Sequence, residues 1–245
     1  MYGFFSIAHE GSNNVIVDTG VGNDIVDVRH VEGRHGSGIV TVNLGAGDDE
    51  LNARGNIDDA VVNMGDGVDK LTSDNVQGGA DIDMGDDTDT VTITRFISQD
   101  SSINLGSGND IINLGYFDDG AGSLVDGGEG TDVLNLTGSN TEGSNDIAIN
   151  NIEIIQFTGN NASYDLDWKD IMLSDGTNDD ISEVYINQTG SNNQIDLDSG
   201  WVRDTNSTPP ATDPLGENHS YYIYMKTKND ITETLYIDQT IDITI

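Results

Sequence analysis

Six aspartates of this chain recur in one setting. Asp24, Asp49, Asp69, Asp89, Asp110 and Asp132 each stand in a phrase that reads apolar residue, Asn or Asp, one further residue, then G-x-G-x-D-x-apolar. The copies are VDTGVGNDIV (17–26), VNLGAGDDEL (42–51), VNMGDGVDKL (62–71), IDMGDDTDTV (82–91), INLGSGNDII (103–112) and VDGGEGTDVL (125–134). The two glycine positions hold Gly20 and Gly22, Gly45 and Gly47, Gly65 and Gly67, Gly106 and Gly108, and Gly128 and Gly130; in the fourth copy Gly85 is followed by Asp87. The chemistry these residue types share is oxygen ligation of a hard cation. Calcium takes roughly six to eight oxygens, from carboxylates and backbone carbonyls, in loose geometry. Paired glycines let the backbone turn through conformations closed to residues with a Cβ and bring its carbonyls close to an ion. The aspartate supplies the charge.

Such ligands act together only if the chain stacks them. The aspartates fall at steps of 25, 20, 20, 21 and 22 residues, and a period near twenty is the signature of a solenoid. On both sides of each phrase apolar and polar letters alternate, as in Val91-Thr92-Ile93 and Leu134-Asn135-Leu136, the period of a half-buried strand. One coil thus holds a strand, the glycine turn, a second strand and a return turn. Stacking at about 4.8 Å predicts two buried ladders. One runs through Val17, Val42, Val62, Ile82, Ile103 and Val125, the other through Val26, Leu51, Leu71, Val91, Ile112 and Leu134. It also places six carboxylates in a column, where cations between neighbours relieve the repulsion. No Lys or Arg lies between the first glycine and the aspartate of any copy, whereas Arg29, Arg34, Arg54 and Arg95 fall between copies. Gly, Asn and Asp also dominate turns for conformational reasons alone, which accounts for any single copy; six in register favour ligation. Asp87 adds a carboxylate but lacks the freedom of glycine, so the fourth turn is where an altered site is expected.

The composition agrees. With 44 acidic residues against 9 basic ones, the 245-residue chain has a formal net charge of -35, which argues for cations and against nucleic acid as partners. Apolar content of 35% is thin for one globular core and suits a narrow stack. There is no cysteine, so neither disulfides nor thiolate metal sites hold the fold. The opening MYGFFSIAHEG lacks the basic region and apolar length of a secretory signal, and no apolar run approaches the roughly 18 residues of a membrane span. Membrane insertion is not expected, and an export address must lie elsewhere.

The phrase resembles the glycine-rich nonapeptide of RTX proteins, G-G-x-G-x-D-x-U-x, over residues 11–136. The resemblance implies an all-β parallel β-roll, or β-solenoid, of about six calcium-bound coils. It assigns metal ligation to Gly20, Gly22, Asp24, Gly45, Gly47, Asp49, Gly65, Gly67, Asp69, Gly85, Asp87, Asp89, Gly106, Gly108, Asp110, Gly128, Gly130 and Asp132. Family members usually place two nonapeptides in each coil. Here there is one, so about five ions in one ladder along one edge are expected, with the opposite edge free of metal.

After Leu136 the composition shifts: both tryptophans (Trp168, Trp201) and all three prolines (Pro209, Pro210, Pro214) lie beyond it. The reading is of two domains, 1–136 as the calcium-binding roll and 137–245 as a small β-rich cap with a short helix at 166–173 and a loop at 204–218. The fragment order NIEIIQFTG, WKDIM, DSGW and LYIDQTIDITI is similar to the C-terminal regions of large bacterial RTX adhesins. That resemblance implies an uncleaved type I secretion signal at this end, an extracellular or cell-surface location, and a chain that is the monomeric tail of a longer protein.

Catalysis is not expected. There is no G-x-S-x-G or H-E-x-x-H, and His9, His30, His35 and His219 are scattered. The pairs Asp58-Asp59, Asp118-Asp119 and Asp179-Asp180 are weak evidence for a glycosidase in so acidic a chain. Two alternatives stand beside the adhesin reading: the secretion domain of a protease or lipase, and a solenoid that binds ice or carbohydrate. Ice binding calls for a file of Thr and Asn, but the residues between the glycine positions are Val21, Ala46, Asp66, Asp86, Ser107 and Glu129.

Overall fold

Every regular element among the described residues is a β-strand. The computed structural model describes residues 6–8, 14–33, 38–115, 122–138, 148–166, 183–197, 199–228 and 231–245. Strand formation follows the alternation: along Val40–Ala46 and Glu50–Asp58 buried and half-exposed side chains take turns. The chain passes from a strand of one sheet, through a glycine turn, to a strand of a second sheet, and then returns. About six such turns build a parallel β-solenoid.

Both expected ladders are present residue for residue. Val17, Val42, Val62, Ile82, Ile103 and Val125 pair in sequence, and the file continues to Ile149. Facing it, Val26, Leu51, Leu71, Val91, Ile112 and Leu134 pair in the other sheet. From the second coil on, these side chains are fully buried, whereas Val17 and Val26 of the first coil are partly buried. Each coil buries its apolar face only against its neighbours, so the coils stabilise one another.

The return turns are built differently from the glycine turns. Asp59 (φ 49°), Gly78 and Gly79, and Gln99 and Asp100 (φ 61° and 59°) take the left-handed conformation there. These polar residues and glycines reverse the chain without the G-x-G phrase.

The stack does not stop at Leu136. Leu134 pairs with Ile155, Ile155 with Ile186 and Ile186 with Ile237, all in parallel register, so the larger sheet crosses the boundary expected at 136/137. Residues 183–188 and 231–238 are further rungs of that sheet. The sheet then changes sense. Tyr221–Lys228 pairs antiparallel with Ile231–Asp238, and Val202–Asp204 pairs antiparallel with it in turn. An edge of only three residues offers little template for another strand. A third, parallel sheet of Ser163–Leu166, Gln194–Leu197 and Asp242–Thr244 follows the return turns of this end. The short helix expected at 166–173 falls outside the described residues from 167 onward, and Leu166 closes a strand.

Candidate metal centre

The six phrase aspartates form one column along one edge. The backbone N–H of Asp24 donates to Oδ1 of Asp49 (2.7 Å), and the same bond joins Asp49 to Asp69 (2.7 Å), Asp69 to Asp89 (2.8 Å), Asp89 to Asp110 (2.7 Å) and Asp110 to Asp132 (2.7 Å). Asp69, Asp89, Asp110 and Asp132 are completely buried and Asp49 nearly so. In all six the second oxygen, Oδ2, is buried with no hydrogen-bond partner. A buried carboxylate oxygen without a partner is costly, and six in one file call for a common partner that no side chain among the described residues supplies. A divalent cation fits that donor set.

The glycines shape the edge. Gly20, Gly45, Gly65, Gly85, Gly106 and Gly128 have φ between 86° and 114°, a region that favours glycine. Close approach between coils adds to this at both glycine positions. The carbonyl oxygen of Gly22 faces the α-carbon of Gly47, that of Gly47 faces Gly67, and those of Asp87 and Gly108 face Gly108 and Gly130. A file of backbone oxygens thus runs beside the carboxylates. Asp87, the expected weak point, takes φ 80°, a positive φ like those of Gly22, Gly47, Gly67 and Gly130 but unlike that of Gly108, and the fourth turn keeps its register. A short polar side chain tolerates this conformation better than a branched one.

Burial makes these carboxylates hard to ionise without a cation. It pushes Asp69 from the ordinary 3.8 up to about 6, Asp132 to about 7 and Asp89 to about 8, and the neighbouring carboxylates add to the shift. Asp110 is raised for the same reason. An acid whose folded pKa is raised binds its proton more tightly when folded, so its stabilising effect is present at low pH and fades as pH climbs. In chelator, the melting temperature is therefore expected to fall from about pH 4 upward until the fold is lost near pH 8, and saturating calcium should flatten that slope. Parallel thermal melts at about pH 5 and about pH 6.5 check the sign.

Comparison with protein-family models, curated proteins and solved structures finds no match to this chain.

One residue of the column escapes the phrase. The N–H of Asp132 donates to Oε2 of Glu153 (2.6 Å), as each earlier aspartate donates to the next. Its signal in the sequence is position: Glu153 precedes Ile154-Ile155 as Asp132 precedes Val133-Leu134. A second polar file, Asp18, Asn43, Asn63, Asp83, Asn104, Asp126 and Asn150, lies in register beside the glycine turns. Side-chain hydrogen bonds such as that from Asn63 Nδ2 to Asn43 Oδ1 (2.8 Å) tie its rungs.

The other candidates lie elsewhere. His30 accepts the N–H of Asn56 at Nδ1 (2.9 Å), and His35, His9 and Arg34 lie outside the described residues, as do Asp118, Asp119, Asp179 and Asp180. Arg54 pairs with Asp27 through both carboxylate oxygens, an exposed contact of small energetic weight. Near the C-terminal end His219 meets Asp238 at Nδ1 (2.9 Å), with Glu217 and Asp213 3.7 and 3.9 Å from Nε2. Asp213 already accepts bonds from Asn187 and from the Glu217 N–H. This group forms part of a local hydrogen-bond network away from the column.

Proposed function

We propose that this chain is a calcium-binding module of the RTX type whose folding is driven by calcium, acting in a bacterial adhesin exported by type I secretion. What supports the calcium reading is the file of six buried, unpartnered Oδ2 atoms in register with the glycine turns. The adhesin and secretion parts rest on the order of the C-terminal fragments alone. In the cytoplasm, where free calcium is scarce, charge repulsion in the column keeps the stack open and the chain able to thread a narrow channel. Outside, millimolar calcium exceeds the dissociation constants of extracellular modules, about 10⁻⁴ to 10⁻³ M, and binding energy becomes folding energy. Far-ultraviolet circular dichroism at pH 8 tests the coupling. A β spectrum in calcium that collapses in chelator is expected; an unchanged spectrum would overturn the coupling.

One observation favours a second reading, a ligand-binding face. Asn52, Thr72, Thr92, Asn113 and Asn135 lie in register on the outer side of the larger sheet, a Thr and Asn file at a position other than the one between the glycines. Thermal hysteresis of the calcium-loaded protein would support ice binding by that file, and its absence would remove it.

A further inference from the structure

The geometry points to Glu153 as the seventh carboxylate of the column, enclosing with Asp132 and the Asn151 carbonyl a sixth cation site beyond the last glycine phrase. This rests on the calcium reading above and extends it to a residue that the repeat does not mark.

The column continues one rung past the phrases. Asp132 N–H donates to Glu153 Oε2 at 2.6 Å, and Oδ2 of Asp132 is buried and unpartnered like those above it. That free oxygen is directed into a small cradle. A methyl group built on Gly127 would meet Asp132 Oδ2 at 2.7 Å and overlap the Asn151 carbonyl oxygen, so both oxygens converge on the α-carbon of Gly127. Asp126 stands beside them, its Oδ1 accepting from Gly128 N–H (3.2 Å) and from Asn151 Nδ2 (2.8 Å). Carboxylates and a backbone carbonyl are the ligand types calcium takes.

The choice of glutamate follows from the turn. Asp126 pairs with Asn150 and Val133 with Ile154, so residues 151–153 do here what 127–132 do one coil earlier. The shorter turn has no glycine phrase and reverses through Asn151 (φ 48°). A side chain one methylene longer than aspartate reaches across the shortfall. The column then ends, because the next rung in register is Val184, which is buried and apolar. Seven carboxylates have six gaps, where the six phrases alone have five.

Counting bound calcium tests this, by plasma emission after gel filtration of the whole chain in calcium buffer. Glu153→Gln keeps an oxygen to accept the Asp132 N–H, and Glu183→Gln, off the column, is the control. Six ions in the wild type and the control and five in Glu153→Gln are expected, with β spectra unchanged. Equal counts in wild type and Glu153→Gln, whether five or six, would overturn the assignment while leaving the calcium reading intact. No bound calcium in any variant would overturn the calcium reading itself.

Discussion

Alanine at Gly65 is expected to disrupt the centre of the calcium-loaded stack, whereas alanine at Gly20 should weaken only its first coil. Both glycines occupy the left-handed region, at φ 114° and 98°. Left-handed strain in a non-glycine residue is of order 1–3 kcal/mol, and the two variants share it. They differ in what a methyl group meets. At Gly65 it overlaps the Gly45 carbonyl of the neighbouring coil, while at Gly20 nothing lies within 4 Å. A backbone carbonyl has no rotamer to yield, and Gly45 and Gly65 are paired rungs of one sheet, so relief requires the coils to move apart. The loss at Gly65 should exceed that at Gly20 by roughly 2 kcal/mol or more, in the range of severe core lesions. Urea unfolding in saturating calcium measures it. Equal losses would show that the close stacking of these turns is not maintained in solution.

Asp89→Asn is expected to act with opposite sign in the two states of the protein. Asp89 is fully buried between Asp69 and Asp110, and burial with those neighbours drives its pKa to about 8. Asparagine keeps the oxygen that accepts the Asp69 N–H and removes the charge. Without calcium at about pH 6, where burial holds Asp89 protonated and the stack still folds, asparagine spares the cost of taking up that proton, so the variant should melt higher than the wild type. With calcium, the lost charge is shared by the gaps on both sides. The calcium midpoint for folding should rise by about 10-fold or more, because ligand charge sets the affinity of such sites. Calcium titrations followed by circular dichroism, with thermal melts in chelator, read both signs. A variant less stable in both states would mean that the carboxylate serves only its hydrogen bond.

Much of this architecture was legible because two periodicities coincide. Alternation fixes which residues face inward, and a step near twenty fixes which residues stack, so the sequence alone places Leu51, Leu71 and Val91 on one ladder. Where the step fails, the reading fails. Leu134 and Ile155 keep a step of 21, but Ile155 to Ile186 and Ile186 to Ile237 take 31 and 51 residues, and the strands Val202–Asp204 and Tyr221–Lys228 fall within the last of these. The change of composition at Leu136 thus looks like a domain boundary, although the sheet runs through it. A second edge signal was there to be read: Thr-Gly-Asn-Asn at 158–161 and Thr-Gly-Ser-Asn at 189–192 stack as return turns, with Asn161 and Asn192 both left-handed. Asn160 Oδ1 accepts from the N–H and hydroxyl of Ser191, and Asn192 Nδ2 donates to Asn161 Oδ1. The antiparallel ending was also signalled, because only two residues separate Tyr221–Lys228 from Ile231–Asp238. Glu153 is the instructive miss. A motif defined by its glycines overlooks a ligand that is set by register alone.

The claim that a single edge of this solenoid holds the cations is tested most directly by a long-wavelength anomalous map from crystals grown in calcium. Peaks are expected in a row between Asp24 and Asp49, Asp49 and Asp69, Asp69 and Asp89, Asp89 and Asp110, and Asp110 and Asp132, with a further one between Asp132 and Glu153, close to the coil spacing of about 4.8 Å. A map with no peaks between these carboxylates, or with a comparable row along the return turns at Asp59, Gly79 and Asp100, would contradict it.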